Sequence, residues 1–326
     1  MSTIYEVAAL AGVSPATVSR VFNGLNVSAE KSRAVREAAA ELAFTPSRVA
    51  RTLRRQHSEV IALVIPDIEN PFFTSLARGV EDVAQQAGYS VVLCNTDEDP
   101  AKEAKYLDIA LSDNMAGVII AAAGDHSDIA KLLERNRPVV AVDRGPHNVD
   151  IDAVMVDNRA GGHAATARLV EHGFRRIACI TGPREVETAQ ERADGWREVV
   201  AAAGMADIDQ YLKYSNYRVG GGHDAMQELL ALPEPPDAVF VTNNLMSVGA
   251  LQELAGNGTL PPDFGMAVFG DLPYAGFAPK GITVVHLPAR HLGVTAATLL
   301  LERINGDAQP SRTIVLRNEV GTGDES

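Results

Sequence analysis

The chain has 326 residues, of which 46% are hydrophobic and 22% are charged, a composition typical of a folded protein of two or three domains. Its longest apolar runs, such as residues 115–123, fall well short of the roughly 20 residues that a membrane helix needs. The N-terminus lacks the basic and then apolar layout of a signal peptide. Cys94 and Cys179 lie far apart in apolar runs, which favours buried thiols over a disulfide or a metal site. We therefore expect a cytoplasmic protein with no membrane partner.

The net charge of −13 is unevenly distributed along the chain. Residues 1–57 carry eight basic and four acidic side chains, for a charge of +4, whereas residues 58–326 carry 21 basic and 38 acidic ones, for a charge of −17. A short basic head on an acidic body indicates that one end meets a polyanion such as DNA.

The first 45 residues predict three short helices. Thr3 and Glu6 can form a capping box at the start of the first helix, which Gly12 ends. Ser14 is a favourable N-cap for the second helix, and Pro15 follows it at the first helical position, where its missing N–H costs nothing.

The second helix is expected to run to about Asn23 and Gly24, and the third from its N-cap Ser28 through Ala43. The predicted inward-facing residues are Val7, Ala8, Ala11, Val18, Val21, Val35, Ala38, Ala39 and Leu42. Two helices joined by a tight turn, the second beginning Ser-Pro-Ala-Thr, are typical of a helix-turn-helix. The basic residues 47–55 follow, and composition alone leaves open whether they form a solvated linker or an ordered element.

From Glu59 onward, short apolar runs alternate with helical stretches. The runs are 61–65, 91–94, 118–122, 139–142, 177–180, 238–241, 267–269 and 283–285. This alternation predicts parallel sheets covered by helices on both faces, and the number of strands predicts two lobes that face a cleft. Because ligands of such sheets bind beyond the carboxyl ends of the strands, the polar residues that end these runs are the candidate site.

Common catalytic motifs are absent from the sequence, including a phosphate-binding loop, a nucleophile elbow and a zinc-binding helix. The run Gly220–Gly222 lacks the spacing of a dinucleotide-binding motif and predicts a turn. His163 and His172 point to different helix faces and are not expected to share a metal. We therefore expect neither an enzyme nor a cofactor.

Several segments together resemble the LacI/GalR family of bacterial transcription regulators, and its ribose-repressor branch in particular. Residues 3–23 are similar to the DNA-binding headpiece of that family, and residues 46–53 to its hinge helix. The similar core segments are Asn-Pro-Phe-Phe at 70–73, Val-Asp-Arg at 142–144, residues 157–162 and Ile-Thr-Gly-Pro at 180–183.

This resemblance implies an all-α helix-turn-helix headpiece (residues 1–46), a hinge helix (47–58) and a two-lobed α/β core of the periplasmic-binding-protein type (59–326). Within the core it implies an N-lobe of about residues 59–160 and 290–318, and a C-lobe of about 161–289 and 319–326. It also implies a homodimer on a pseudo-palindromic double-stranded DNA operator.

The resemblance further assigns DNA contacts. The positions that match base contacts in the major groove are Pro15, Ala16 and Arg20, of which Arg20 can form a bidentate pair with guanine. The positions that match phosphate contacts are Ser14, Thr17, Ser19 and Asn23. In the hinge, Leu53 matches the residue that wedges between base pairs in the minor groove, and Val49 and Ala50 match residues that line the groove.

For a small-molecule effector, a sugar or a nucleoside, the matching positions combine flat rings with polar groups that hold hydroxyls. These positions are Asn70, Phe72, Phe73, Asp143, Arg144, Arg192, Tyr217, Asn243 and Asp271. The C-lobe departs from the family pattern at two further positions: Gly270 stands where the family commonly has an aspartate, and Leu287 where it has a glutamine. The lost polar partners suggest a larger or more apolar ligand.

The sequence therefore predicts a DNA-binding transcription regulator, and specifically a repressor. Its operator affinity is expected to be controlled by a small molecule bound between the lobes. One alternative is a regulator of the same family whose signal is a protein corepressor or a ligand other than a sugar. A sugar-binding or sugar-processing protein without a regulatory role is a more remote alternative, because such a protein does not need a basic N-terminal region.

Overall fold

A computed structural model of the chain describes residues 2–22, 25–44, 58–124, 128–145, 148–205, 208–272 and 280–322. Contacts between residues divide the chain into two compact units, Met1–Ser58 and Glu59–Ser326. Within the described ranges, no helix is long and apolar enough to cross a membrane.

The first unit contains three helices, α1 (Ile4–Leu10), α2 (Pro15–Phe22) and α3 (Ala29–Glu41). The capping box of α1 is confirmed, because the Glu6 carboxylate accepts from the Thr3 N–H at 2.6 Å and the Thr3 hydroxyl accepts from the Glu6 N–H at 3.3 Å. Gly12 follows α1 with a φ of +64°, a left-handed conformation that glycine adopts without strain.

The core of this unit is the predicted one, built around the fully buried Val7, Val18 and Val35. Two details of α3 differ from the prediction. The side chain of Ser28 makes no capping hydrogen bond, and α3 ends at Glu41 rather than at Ala43. Ala43 has a φ of +47°, which is incompatible with a continuing right-handed helix.

The second unit is an α/β structure. Its helices are α4 (Pro71–Gln86), α5 (Pro100–Ser112), α6 (Ile129–Glu134), α7 (Asn158–Glu171), α8 (Glu187–Ala202), α9 (Val219–Leu230), α10 (Asn244–Gly256) and α11 (Ala289–Ile304). Its strands are β1 (Val60–Ile65), β2 (Ser90–Asn95), β3 (Gly117–Ile120), β4 (Val139–Val142), β5 (Asp152–Val156), β6 (Ile177–Thr181), β7 (Leu212–Tyr214), β8 (Ala238–Val241), β9 (Gly265–Phe269), β10 (Thr283–His286), β11 (Thr313–Leu316) and β12 (Glu319–Thr322).

The strands form two six-stranded sheets, in the orders β11-β5-β4-β3-β1-β2 and β12-β10-β9-β8-β6-β7. We call the lobes around them the N-lobe and the C-lobe. Every strand pair is parallel except β10–β12. The chain passes between the sheets after β5, after β10 and after β11. The predicted fold class, a helical N-terminal region followed by an α/β core of parallel sheets, is confirmed.

The N-lobe sheet is buried on both faces, as its apolar runs predict. In β1, Ile61, Leu63 and Ile65 pack toward α4 and α11, whereas Ala62 and Val64 pack on the other face toward α5 and α6. This alternation follows from the two-residue period of a strand. The C-lobe sheet has a single continuous core around Trp196, Phe240 and Phe269.

Four strands have no counterpart among the predicted apolar runs, namely β5, β7, β11 and β12. Three of them lie at sheet edges. The short strands β7 and β12 contain no apolar run, whereas β5 and β11 contain apolar runs at 153–156 and 314–316 that were not among those predicted. The predicted turn at Gly220–Gly222 is wrong, because these glycines lie in the first turn of α9. A Cβ at Gly222 would collide with the backbone of Met246 in α10, so this glycine permits close helix packing.

Candidate functional site

A cleft lies between the carboxyl ends of the two sheets, where parallel strands place their loops. Its cavity volume is about 50 Å³, within about 590 Å³ of unfilled space that includes open solvent. Its lining residues include all the predicted effector positions except Asp271. They are Asp67, Asn70, Phe72, Phe73, Glu98, Asp143, Arg144, Thr188, Arg192, Asn216, Tyr217, Arg218, Asn243, Asn244, Phe269, Gly270 and Leu287.

Asp143 and Arg144 follow β4 and form the polar floor on the N-lobe side. Asp143 has a φ of +66° and is 7% exposed, and burial raises the pKa of its carboxyl group, an effect that Arg192 and Arg144 offset only in part. The Arg144 guanidinium donates to Glu98 at 2.6 Å. Among the described residues, Asp143 Oδ1 and Arg144 Nε have no hydrogen-bond partner. An unpaired buried acceptor and donor in a cleft are groups that a ligand can satisfy.

The N-terminus of α4 brings Asn70, Phe72 and Phe73 to the same side of the cleft. Asn70 is the N-cap, and its side-chain oxygen accepts from the Phe72 N–H at 2.9 Å. The two phenyl rings meet edge to face, with centroids 5.0 Å apart and an interplanar angle of 80°. The cap therefore fixes the position of the aromatic surface.

Arg192 of α8 is the central cation on the C-lobe side. Its Nε donates to Asn158 at 2.8 Å and its Nη1 to the Thr242 carbonyl at 2.9 Å. The guanidinium lies 4.1 Å over the ring of Phe269, and Nη2 lies 4.0 Å from Asp143 Oδ1. Arg192 is thus held in place before any ligand arrives, which lowers the entropy lost on binding.

Tyr217 and Asn243 complete the C-lobe side. Tyr217 has a φ of +61°, its ring packs where a side chain at Gly182 would lie, and its hydroxyl lies 3.4 Å from that of Thr188. Burial raises the pKa of this hydroxyl, so it stays protonated at neutral pH. Asn243 caps α10 through its side-chain oxygen.

An ion pair that the sequence did not indicate spans the cleft. Arg218, at the start of α9 in the C-lobe, donates from Nη1 to Asp67 Oδ2 at 2.7 Å, and Glu69 lies 3.6 Å from the same nitrogen. Asp67 follows β1 in the N-lobe, and its position at the end of a strand was enough to mark it as a candidate cleft residue from the sequence. Nothing in the sequence around Arg218 indicates its partner, which is 151 residues away.

Asp271 is described by the structure but does not line the cleft. Its carboxylate lies 2.5 Å from Nδ1 of His286, and its side chain is 63% exposed. The neighbouring Gly270 and Leu287 line the cleft instead. A contact between Asp271 and an effector stays a prediction.

In the first unit, the predicted DNA contacts cluster at α2. Ser14 caps this helix by accepting from the Thr17 N–H at 3.2 Å. Ala16 and Arg20 are exposed and Pro15 is half-buried. Ser19 is 9% exposed and is less accessible than Ser14 and Thr17, the other predicted phosphate contacts that the structure describes. Asn23 and the hinge residues Val49, Ala50 and Leu53 lie outside the described residues.

Known proteins resemble this chain along its whole length. Residues 3–47 match the family described as "Bacterial regulatory proteins, lacI family", and residues 58–319 match "Periplasmic binding proteins and sugar binding domain of LacI family". The ribose operon repressor of Escherichia coli (strain K12) is 35% identical over 308 residues, which are 93% of each chain.

Solved structures agree with these matches. A complex of the transcriptional regulator CelR with cellobiose has a TM-score of 0.72 and 32% identity over 98% of both chains. The lac repressor dimer bound to operator and an anti-inducer has a TM-score of 0.86 over 99% of this chain and 98% of its own, and at 24% identity it shows the fold. The chain therefore belongs to the LacI family of bacterial regulatory proteins, as a transcription regulator with a DNA-binding headpiece and a core that binds a small-molecule effector.

Proposed function

We propose that this protein is a cytoplasmic repressor whose cleft binds a neutral, hydroxylated small molecule and thereby changes its affinity for an operator. The observation that carries the proposal is the pair of buried groups at the cleft floor, Asp143 Oδ1 and Arg144 Nε, which have no hydrogen-bond partner among the described residues. A carboxylate acceptor beside a guanidinium donor suits a hydroxyl, which both donates and accepts.

The balance of charge in the cleft favours a neutral ligand over a sugar phosphate. Three carboxylates, on Asp67, Glu98 and Asp143, face three guanidinium groups, on Arg144, Arg192 and Arg218. Two of these arginines already contact carboxylates directly, so little positive charge remains for a phosphate. The rings of Phe72, Phe73 and Tyr217 offer surfaces on which a sugar ring can pack.

On the DNA side, we propose that α2 enters the major groove with Pro15, Ala16 and Arg20 toward the bases. Ser14 and Thr17 are suited to phosphates, since both hydroxyls stand at the N-terminus of α2, where anions bind favourably. Ser19 and Asn23 are assigned to phosphates by their positions in the motif. Leu53, with Val49 and Ala50, would wedge open the minor groove in a homodimer on a pseudo-palindromic operator.

Effector binding and operator binding are coupled in this proposal through the arrangement of the two lobes. A ligand that contacts both sides of the cleft stabilises one arrangement, and it shifts the equilibrium only by its differential affinity for the two arrangements. Because linkage is reciprocal, a compound that lowers operator affinity must itself bind less tightly to the operator-bound protein.

A thermal-shift screen of the pure protein tests the cleft assignment. The panel contains pentoses, hexoses, nucleosides and sugar phosphates, because a ligand of the native state raises the unfolding midpoint by mass action. We expect a neutral hydroxylated compound to raise the unfolding midpoint of the unaltered protein. The same compound should not raise the unfolding midpoint of the Arg192→Ala variant. A midpoint that no neutral compound raises, or an equal rise in the Arg192→Ala variant, contradicts the proposal.

A further inference from the structure

The C-lobe end of the cleft has an apolar wall, formed by Gly270 at the end of β9 and Leu287 after β10. Leu287 is half-buried and packs against the cores of both lobes. A Cβ built on Gly270 would lie 3.7 Å from Leu287 Cδ1 and 3.8 Å from Cβ and Cγ of Asn244, so Gly270 and Leu287 are neighbours in a surface that borders the Asn244 side chain.

The backbone of this wall offers no free donor at Gly270. Its N–H donates to the Val285 carbonyl at 2.9 Å, which ties β9 to β10. Its φ of +99° is a conformation that residues with a side chain rarely adopt, so the backbone disfavours a polar side chain at this position. The adjacent Asn244 uses its side-chain oxygen to accept from the Leu245 N–H at 3.0 Å.

The floor of the cleft has the opposite character. Asp143 Oδ1 and Arg144 Nε are buried without a hydrogen-bond partner among the described residues, and Arg192 lies beside them. A hydroxyl that reaches the floor gains charge-assisted hydrogen bonds. A hydroxyl that faces Gly270 and Leu287 instead loses its water without replacement, which is unfavourable.

We propose that the effector is a hydroxylated ring that carries an apolar substituent, with the hydroxyls on the Asp143–Arg144 floor and the substituent against Gly270 and Leu287. This inference rests on the proposed function and narrows its ligand class. Two kinds of compound share the required chemistry: nucleosides, whose base is the substituent, and deoxy sugars, in which a methyl group replaces a hydroxymethyl group.

Calorimetric titration with matched pairs of ligands tests the inference. One arm compares D-ribose with adenosine and cytidine, and the other compares D-galactose with 6-deoxygalactose. We expect at least one substituted compound to bind about tenfold or more tightly than its parent sugar. A preference for the substituted compound in the first arm identifies a nucleoside as the effector, and a preference in the second arm identifies a deoxy sugar.

The variant Leu287→Gln then assigns the preference to the wall. It replaces the apolar side chain by a polar one of similar size, so we expect the preference to fall about tenfold or more, with the parent sugar gaining affinity. Leu251→Gln is the matched control, because Leu251 is also half-buried against the C-lobe core but does not line the cleft. It should leave the preference unchanged even where it lowers the unfolding midpoint.

The outcomes separate this inference from the proposed function. Parent sugars that bind as tightly as the substituted compounds, or a preference that survives in Leu287→Gln, overturn the apolar-wall assignment and leave the cleft as a sugar site. Binding of no compound in either arm at millimolar concentration contradicts both proposals.

Discussion

The surroundings of Asp143 in the cleft alter the acidity of its carboxyl group. Its carboxylate is buried, and burial holds its pKa above the ordinary value despite Arg192 and Arg144. A group whose folded-state pKa is raised contributes stability that is present below its unfolded pKa, about 4 for aspartate, and is lost as the pH rises through the folded value. At neutral pH, the buried carboxyl group of Asp143 therefore lowers the stability of the ligand-free core.

We predict that Asp143→Asn stabilises the ligand-free protein and weakens effector binding. Asparagine tolerates the positive φ at this position and avoids burying a charge. A gain of about 1 kcal/mol would raise the midpoint by about 2–4 °C in a core of this size, while effector affinity should fall tenfold or more. Thermal melts at pH 7 and near pH 4 check the sign of the stability change. The difference in unfolding midpoint between the variant and the parent protein should become smaller as the pH falls.

The exposed Asp113→Asn is the control for this prediction, because Asp113 lies at the C-terminus of α5 away from the cleft. A lower midpoint for Asp143→Asn at pH 7, or a stability difference that does not depend on pH, would contradict the assignment of a buried, destabilising carboxylate.

At the level of single residues, local chemistry allowed correct predictions where both partners are close in sequence. The capping box of Thr3 and Glu6 follows from a fixed spacing of three residues. The Asp67–Arg218 pair has no such spacing, because it exists only once two lobes have folded. The exposure of Asp271 likewise depends on the path of the chain after β9, which periodicity does not determine.

Three pairs of packed helices are held together by reciprocal glycines. A Cβ at Gly79 or Gly293 would collide with the backbone of the partner helix in the α4–α11 pair, and the same holds for α7–α8 and α9–α10. The glycines of these last two pairs are Gly162, Gly195, Gly222 and Gly249. Removing the side chain lets two backbones approach closely, and each pair carries residues of the cleft.

We predict that Gly162→Ala lowers effector affinity through the position of Arg192. The new methyl group would meet the backbone carbonyl of Arg192, pushing α8 away from α7 and moving the guanidinium. Overpacking of this kind costs about 1–3 kcal/mol. Calorimetry at a temperature where the variant is fully folded should show at least tenfold weaker binding.

Gly79→Ala provides the matched comparison, since it creates a similar collision with Arg290 in the N-lobe pair without touching Arg192. It should lower the midpoint to a similar extent and change effector affinity much less. Equal losses of affinity in the two variants would show that general loosening, and not the position of Arg192, governs binding.

Among elements, the inner strands were predictable except β5, and the edge strands were not except β2. A strand covered on both faces, such as β1, is a continuous apolar run, whereas the edge strands β7 (Leu-Lys-Tyr) and β12 (Glu-Val-Gly-Thr) have mixed sequences. Gly220–Gly222 misled the prediction because glycine has two uses, in turns and in close helix packing, and only the position of Met246 in the folded chain distinguishes them.

For the whole molecule, the Asp67–Arg218 ion pair is a direct contact between the two lobes at the cleft. Its side chains are 10% and 36% exposed, and a partly exposed pair contributes about 1 kcal/mol or less. That is a small part of the stability of the core but a several-fold change in an equilibrium between lobe arrangements.

We predict that Arg218→Gln opens the cleft without unfolding the protein. The unfolding midpoint should change by about 2 °C or less, while effector affinity falls two- to tenfold and small-angle X-ray scattering shows a larger radius of gyration. Lys213→Gln, which removes a 2.9 Å pair within the C-lobe, should change none of these quantities. Unchanged affinity and dimensions in Arg218→Gln would show that the pair does not control the lobes.

The net charge of −13 belongs to a molecule with two tasks. Residues 1–57 carry +4 and the remaining residues carry −17, so an acidic core limits non-specific attraction to DNA and leaves recognition to the basic N-terminal region. The association with operator should therefore depend steeply on salt through a few contacts in that region.

The most direct test of this account is a fluorescence-anisotropy titration of the protein on a palindromic duplex, selected from a random pool, with and without the effector found in the thermal-shift screen. We predict specific binding at least 100-fold tighter than to unrelated duplexes, lost in Arg20→Ala and weakened by salt. We also predict that the effector changes operator affinity at least tenfold. Binding without sequence preference, or operator affinity that no cleft ligand changes, would contradict an effector-controlled repressor.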